Sequence, residues 1–309
     1  MNEHRFAIID LGTNTFHLLI ADYPSGTLLH EEKRAVRAGK GGISQDTISQ
    51  EATLRIVDAL KYFVETGKKF NVTNYYPMAT SAFRNAKNSP EIKELIKSET
   101  GLDVQIISGS LEAEFIYLGV KSICEISAQS SLIMDIGGGS VEFILANDQT
   151  ILWKKSYEIG AQRLLDKFHH CNPIQEEEID RLFEYLKELL IELEYQLNVH
   201  SPYNLIGASG TFDTLKDLKR KNSRFHLTDE KTLSMEEYEL ISREIITSTI
   251  DQRRELRGMS EMRVDMIVVA TCLINYIRSI YSFDHIDVSS RAMKEGVLYR
   301  ILSGENVLN

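Results

Sequence analysis

Cysteine is scarce in this chain: among 309 residues only Cys124, Cys171 and Cys272 carry a thiol. They are odd in number, far apart and in no CxxC or CxxH spacing. They therefore indicate neither a disulfide framework nor a structural zinc, and they fit a reducing compartment. Long apolar runs are also missing. "MIVVATCLI" at 266–274 is among the longest, well short of the ~18 residues of a membrane span. The amino terminus, "MNEHRFAIID", lacks the basic, apolar and small-residue layout of a secretory signal. A soluble cytoplasmic protein without membrane contact is the expectation. Surplus positive charge is absent too. The formal net charge of −10 argues against general nucleic-acid binding, which rests on clustered Lys and Arg. A polyanionic substrate would need a local cationic site or a metal.

What the chain does have is apolar residues, 43% of the total. That supports a large core, but the length is generous for one core and predicts two domains. One local pattern occurs twice. In "AIIDLGTNTFHLLIAD" (7–22) and "IMDIGGGSVEFILAND" (133–148), β-type residues lead to Asp10 or Asp135, then to a Gly-containing loop, then to a second apolar run at Phe16–Ala21 or Val141–Ala146. Each reads as a β-hairpin with a tight loop. The aspartates are 125 residues apart, a domain-scale repeat rather than the ~20–50-residue period of a solenoid. Duplicated domains are the simplest explanation. No low-complexity linker marks the boundary, so the repeat alone sets it, at 1–124 and 125–309.

Between the hairpins, a helical pattern near 50–69 precedes a short β run, "NYYPMAT". In "NSPEIKELIKSETG", Ser89 reads as the N-cap, Pro90 as the first helical residue and Gly101 as the stop. "LDVQIIS" reads as the next strand. Over 175–197, Ile179, Leu182, Phe183, Leu186, Leu189, Leu190, Leu193 and Leu197 share one face of a single long helix with a solvated acidic face. "NLIGASGT" reads as strand, small-residue loop and helix start, and "HIDVSSRAMKEGVLYRIL" as a strand and a closing helix. Strands alternating with helices predict an α/β fold.

The loops Gly12-Thr13-Asn14 and Gly137-Gly138-Gly139-Ser140 combine absent or small side chains with hydroxyls, so backbone N–H groups can approach an anion closely. Any tight hairpin also favours Gly and Asn. The doubled Asp-led pattern shifts the balance toward phosphate. Asp10, Asp135 and Glu142 are the carboxylates suited to Mg²⁺ or another divalent cation; ordinary strand alternation would alternatively turn Glu142 to solvent.

The stretches "IIDLGTNTFHLLIA", "ATSAFRNAKN", "IISGSLEAEFIYLGV", "LIMDIGGGSVEFIL", "LIGASGTFDTL" and "VSSRAMKEGVLYRIL", in this order, cover nearly the whole chain. Together they resemble the exopolyphosphatase and guanosine pentaphosphate phosphohydrolase family, in its short two-domain form. The resemblance implies two actin-like α/β domains, of the ribonuclease H-like superfamily that includes sugar kinases and Hsp70, facing across a cleft, with the last helix (about 291–309) a candidate to pack back on the first. It also implies Mg²⁺-dependent hydrolysis of a terminal phosphoanhydride, with inorganic polyphosphate first and guanosine pentaphosphate second as substrate, and a homodimer at the level of the family.

Residue by residue, the resemblance places the catalytic base at Glu112 and a phosphate contact at Arg84, with Ser209, Gly210 and Thr211 of "GASGT" as further phosphate loop. Read from the residues alone, Ser110 is an N-cap that puts Glu112 in a first helical turn, where the helix dipole favours its ionised form. Glutamate is also an ordinary helix starter. The stretch Leu111-Glu112-Ala113-Glu114 departs from the two adjacent glutamates followed by Ala-Arg that many members carry. Among the basic clusters, Lys216, Lys219, Arg220 and Lys221, extended by Arg224, form the preferred track for a long polyanion; a solvated basic helix face is the alternative. His169, His170 and Cys171 lack a further partner at metal spacing. Two rivals remain: an ATP-dependent kinase or ATPase of the same fold, and a non-catalytic polyphosphate or alarmone sensor.

Overall fold

The structure, a computed structural model, describes residues 4–126, 128–221 and 231–308. Arg224 lies outside the described residues. Contacts divide the chain into two compact units. One comprises Met1–Gly119, Gly137–Gly139 and Ala292–Asn309, the other Val120–Ile136 and Ser140–Arg291.

In the first unit, β1 (His4–Leu11), β2 (Thr15–Tyr23) and β3 (Leu28–Ala35) form an antiparallel meander. Helix α1 (Gln50–Lys69) begins where Ser49 Oγ accepts from the Ala52 N–H, and it buries Ile56, Leu60 and Phe63 on one face. β4 (Val72–Ala79) returns parallel to β1, followed by α2 (Ser81–Asn85), α3 (Ser89–Thr100), the two-residue β5 (Gln105–Ile106) and α4 (Gly109–Lys121). The sheet order is β3-β2-β1-β4-β5. Only Gln105 and Ile106 of the expected strand "LDVQIIS" pair. Gly101 stops α3 in the left-handed region, with φ 76°, a conformation that costs glycine little. The N-cap is Asn88 rather than Ser89.

The second unit repeats this plan. β6 (Ser131–Ile136), β7 (Val141–Ala146) and β8 (Ile151–Tyr157) form a meander. Helices α5 (Ala161–Phe168), α6 (Glu176–Leu189) and α7 (Ile191–His200) follow. Next come β9 (Leu205–Ala208), parallel to β6, and α8 (Ser209–Lys221). The unit continues with β10 (Thr232–Ser234), α9 (Met235–Thr247), α10 (Ile250–Glu255), α11 (Ile267–Ile280) and β11 (His285–Val288), in the order β10-β11-β9-β6-β7-β8. The apolar run at 266–274 lies in α11, buried in this unit's core. No helix among the described residues is long and apolar enough to cross a membrane.

The expected single helix over 175–197 breaks at Leu190, which ends α6 and starts α7. The break keeps Leu186, Leu190, Leu193 and Leu197 fully buried while Leu189 turns outward at 41% exposure. The acidic first turn is not all solvated. Glu178 is buried and accepts from the N–H groups of His170, Cys171 and Gln175. Those bonds fix the backbone at His170 and Cys171.

The closing helix α12 (Met293–Leu302) belongs to the first unit. A Cβ on Gly296 would lie 1.8 Å from the Phe115 carbonyl oxygen, and one on Gly119 would lie 2.0 Å from that of Ala292. α4 and α12 therefore touch backbone to backbone.

Candidate active site

In the first unit, β1 ends at Leu11 and β2 begins at Thr15, which leaves Gly12-Thr13-Asn14 as the connection. The Asn14 carbonyl accepts from the N–H groups of Val36 and Arg37, and the Thr13 carbonyl accepts from Gly39 N–H. Arg55 of α1 donates to the Val36 and Arg37 carbonyls, which fixes that supporting segment in turn. Gly137–Gly139 pack into the same unit. A Cβ on Gly138 would lie 2.3 Å from Asn14 Nδ2, and one on Gly139 would lie 2.4 Å from Ser81 Oγ and 2.6 Å from Thr13 Oγ1. Only glycine fits there. Two loops from distant parts of the chain thus converge on Thr13, Asn14 and Ser81.

Ser81 opens α2, and one turn later the same short helix presents Arg84. Arg84 Nη1 donates to Glu112 Oε2 at 2.9 Å and to the Ile107 carbonyl at 3.1 Å. The pair is largely shielded, with side-chain exposures of 18% for Arg84 and 11% for Glu112. Glu112 does lie in the first turn of α4. The hydroxyl that accepts from this turn, however, belongs to Ser108, which takes the Leu111 N–H, and not to Ser110. Guanidinium and carboxylate, 28 residues apart, meet because the α2 and α4 termini both follow parallel strands of one sheet. Asp10 sits near the end of β1, half-buried and opposite His17 in the β1–β2 register.

In the second unit, Asp135 and Glu142 face one another in the β6–β7 register, so their side chains share one face of the sheet. Both are buried. Ser209 Oγ donates to Asp135 Oδ2 and Ser156 Oγ to Glu142 Oε1, each at 2.7 Å. Glu142 therefore does not face solvent. Burial pushes the Asp135 carboxyl up to about 6, against the opposing pull of the Ser209 hydroxyl and the Arg263 guanidinium. Arg263 is pulled below its usual range by burial, with Asp135 and Asp213 opposing. Its guanidinium lies against Gly210, where a Cβ would approach Nη2 to 2.1 Å. Ser209, in the left-handed region with φ 66°, starts α8 directly after β9, with Thr211 buried behind it. Ser140 is buried just before β7. Among the described residues no group of three or more His, Cys, Asp or Glu is gathered to hold a metal ion.

The preferred polyanion track is largely occupied by the fold. Lys219 is 3% exposed; its Nζ donates to the Thr232 carbonyl and pairs with Glu237 at 2.9 Å. Its role is to fasten β10 and α9, a correction to the sequence expectation. Lys216 and Arg220 pair with Asp213 and Asp217 on their own helix, and Lys221 is exposed.

Residues 19–305 match the family model of the Ppx/GppA phosphatases. The chain belongs to that family. A solved exopolyphosphatase of Cytophaga hutchinsonii is 41% identical, with a TM-score of 0.92 over 99% of this chain and 100% of its own. A Haemophilus influenzae relative bearing the exopolyphosphatase name is 26% identical over 97% of this chain and 92% of its own length. A guanosine-5'-triphosphate,3'-diphosphate pyrophosphatase of Pseudoalteromonas translucida is 28% identical; the match covers 96% of this chain but 59% of that relative. This member of the Ppx/GppA family has the α/β class and the two-part organisation expected from its sequence.

Within this member, the departure at Glu114 has a local partner. Arg300 Nη2 of α12 donates to Glu114 Oε1, and the Arg300 guanidinium sits 5.0 Å from the Phe115 ring. Sequence reading missed this pair, as it missed Ser81 and Ser156, and it took Arg263 only as part of a basic cluster rather than as a neighbour of Asp135. Ser81 lies within the "ATSAFRNAKN" stretch, directly after the predicted strand "NYYPMAT". Nothing local marked the others.

Proposed function

We propose that this chain is an exopolyphosphatase that hydrolyses the terminal phosphoanhydride of inorganic polyphosphate and releases orthophosphate. The observation that carries the reading is the Arg84–Glu112 pair, joined through α2 to the glycine loops at Ser81. Glu112 takes a proton from the attacking water as the new P–O bond forms, and the anhydride P–O bond breaks toward the shortened chain. The guanidinium of Arg84 positions the Glu112 carboxylate through their hydrogen bond, and its planar fork is suited to the oxygens of the phosphate being removed. In the first unit, N–H groups of Gly12–Asn14 and Gly137–Gly139 are the candidates to hold phosphate oxygens; in the second unit, considered by itself, Ser140 and Ser209–Thr211 are. Little covalent work falls to the protein in phosphoryl transfer; positioning and charge stabilisation dominate.

Asp135 and Glu142, buried oxygen donors in register with one another, suit Mg²⁺, which needs only one or two carboxylates beside waters and substrate phosphates. Asp10 of the first unit is the third candidate. A bound divalent cation would neutralise charge on the phosphate oxygens. The relative named for guanosine pentaphosphate chemistry supports that nucleotide as a second substrate.

The test is phosphate release with Mg²⁺ from polyphosphate, guanosine pentaphosphate and ATP, by wild type and Glu112→Gln. Polyphosphate cleavage that falls about 10²–10⁴-fold in the variant, as for a lost general base, is expected. Turnover of ATP alone, unimpaired in the variant, would sink the reading in favour of a kinase-like ATPase. Binding without any turnover would replace it with a sensor.

A further inference from the structure

A groove of about 650 Å³ opens in the first unit beside the Arg84–Glu112 pair, between α2, the start of α3 and Ile106. It is lined by three cations, Arg84, Lys87 and Lys93. Unlike most of the basic run on α8, Lys87 and Lys93 form no ion pair among the described residues. The groove also contains the start of α3, a helix of 12 residues. Asn88 occupies its N-cap, yet no side chain caps it. The Asn88 amide is instead committed to Ile48, with Oδ1 accepting from the Ile48 N–H and Nδ2 donating to its carbonyl.

The observation that points to a ligand is Ser89. It lines the groove, is only 4% exposed, and its hydroxyl has no hydrogen-bond partner among the described residues. A buried hydroxyl left without a partner costs about 1–3 kcal/mol, so a groove built around one is suited to a ligand that supplies the acceptor. An uncapped helix N-terminus favours an anion by its dipole and its amides. Glu91 and Glu94 also border the groove, but both are exposed to solvent, where their repulsion is screened.

We propose that this groove is a phosphate subsite: Lys87, Lys93 and the Ser89 hydroxyl hold a phosphate oxyanion next to the one at Arg84. The proposal rests on the polyphosphatase reading for its substrate. The oxyanion belongs either to the chain being shortened or to free orthophosphate, and the chemistry of recognition is the same.

The experiment combines the paired variant Lys87→Gln/Lys93→Gln, Ser89→Ala, kinetics on long polyphosphate and on tripolyphosphate, and calorimetric titration with tripolyphosphate and with orthophosphate. The lysines are unpaired, so the double variant should fold; its Tm is checked first. The expected result is a KM for long polyphosphate about tenfold higher with kcat within about twofold, and a dependence of log KM on log salt shallower by about two, one for each lost phosphate contact. If the oxyanion comes from the chain, tripolyphosphate KM moves less than that of the long polymer. If it is orthophosphate, product inhibition disappears in the double variant while KM holds. Unchanged KM, salt slope and product inhibition overturn the proposal. Should wild type cleave no polyphosphate, the functional reading fails alone. Titration then still decides the subsite, because tripolyphosphate binding lost in the double variant upholds it and unchanged binding overturns it.

Discussion

Gly139→Ala probes the convergence of the two loops directly. The added Cβ would lie 2.4 Å from Ser81 Oγ, 2.9 Å from Ser81 Cβ and 2.6 Å from Thr13 Oγ1. Ser81 is 1% exposed and Thr13 4%, so neither side chain can swing into solvent. Ordinary contact requires the loops to separate by about 1 Å, an overpacking that costs about 1–3 kcal/mol. At this chain length that corresponds to a Tm lower by roughly 2–5 °C. The catalytic effect should be larger than the loss of stability implies, because a shift of about 1 Å in groups that position a reacting phosphate costs on the order of 100-fold in rate. The assay is kcat/KM for polyphosphate beside Tm by calorimetry. Adding Ser81→Gly removes the Ser81 Oγ and Cβ contacts and leaves the Thr13 contact, so part of both losses should return. Wild-type rate and Tm in Gly139→Ala would refute the convergence and, with it, the assignment of both loops to one phosphate site.

Lys219→Met should destabilise the protein by about 3–5 kcal/mol in chemical denaturation, because Glu237 loses a buried partner, with KM for polyphosphate unchanged; a raised KM would return Lys219 to the polyanion track. His169 has both ring nitrogens buried without hydrogen-bond partners among the described residues, and burial, helped by the Arg253 charge, holds its pKa below the usual 6.5. Its contribution to stability is therefore present above the unfolded-state pKa and is lost as pH falls from about 6.5 through the folded value. His169→Leu should flatten the decline of Tm between pH 7 and pH 5, and an unaltered slope would count against the assignment. Arg300→Met strips Glu114 of its partner across the α4–α12 contact. Unfolding free energy should drop by about 3 kcal/mol, with partial recovery when Glu114→Gln is added.

Both hairpins were legible in the sequence, since Asp-led apolar runs around small loops leave few alternatives at short range, and the register pairs Leu11 with Phe16 and Ile136 with Val141. α1 was legible through its helical pattern, though its capping Ser49 was not read. Helix starts were less so, because several hydroxyl or amide residues compete at each. Ser108 and Asn88 took roles that Ser110 and Ser89 could have filled. The long helix of the second unit failed as a single element because periodicity cannot report where a stripe must be re-aimed to follow a curved core.

The sequence by itself determined the α/β class, the duplicated plan and the residue types suited to phosphate, because these depend on composition and on spacings within one element. The tertiary structure alone decided which charges are available. It paired Arg84 with Glu112, buried Lys219 against Glu237, and left Lys87 and Lys93 without ion-pair partners among the described residues, beside an uncapped helix. Whether a charge binds substrate or fold depends on what the chain brings within a few ångströms of it, and those partners lie tens to hundreds of residues away.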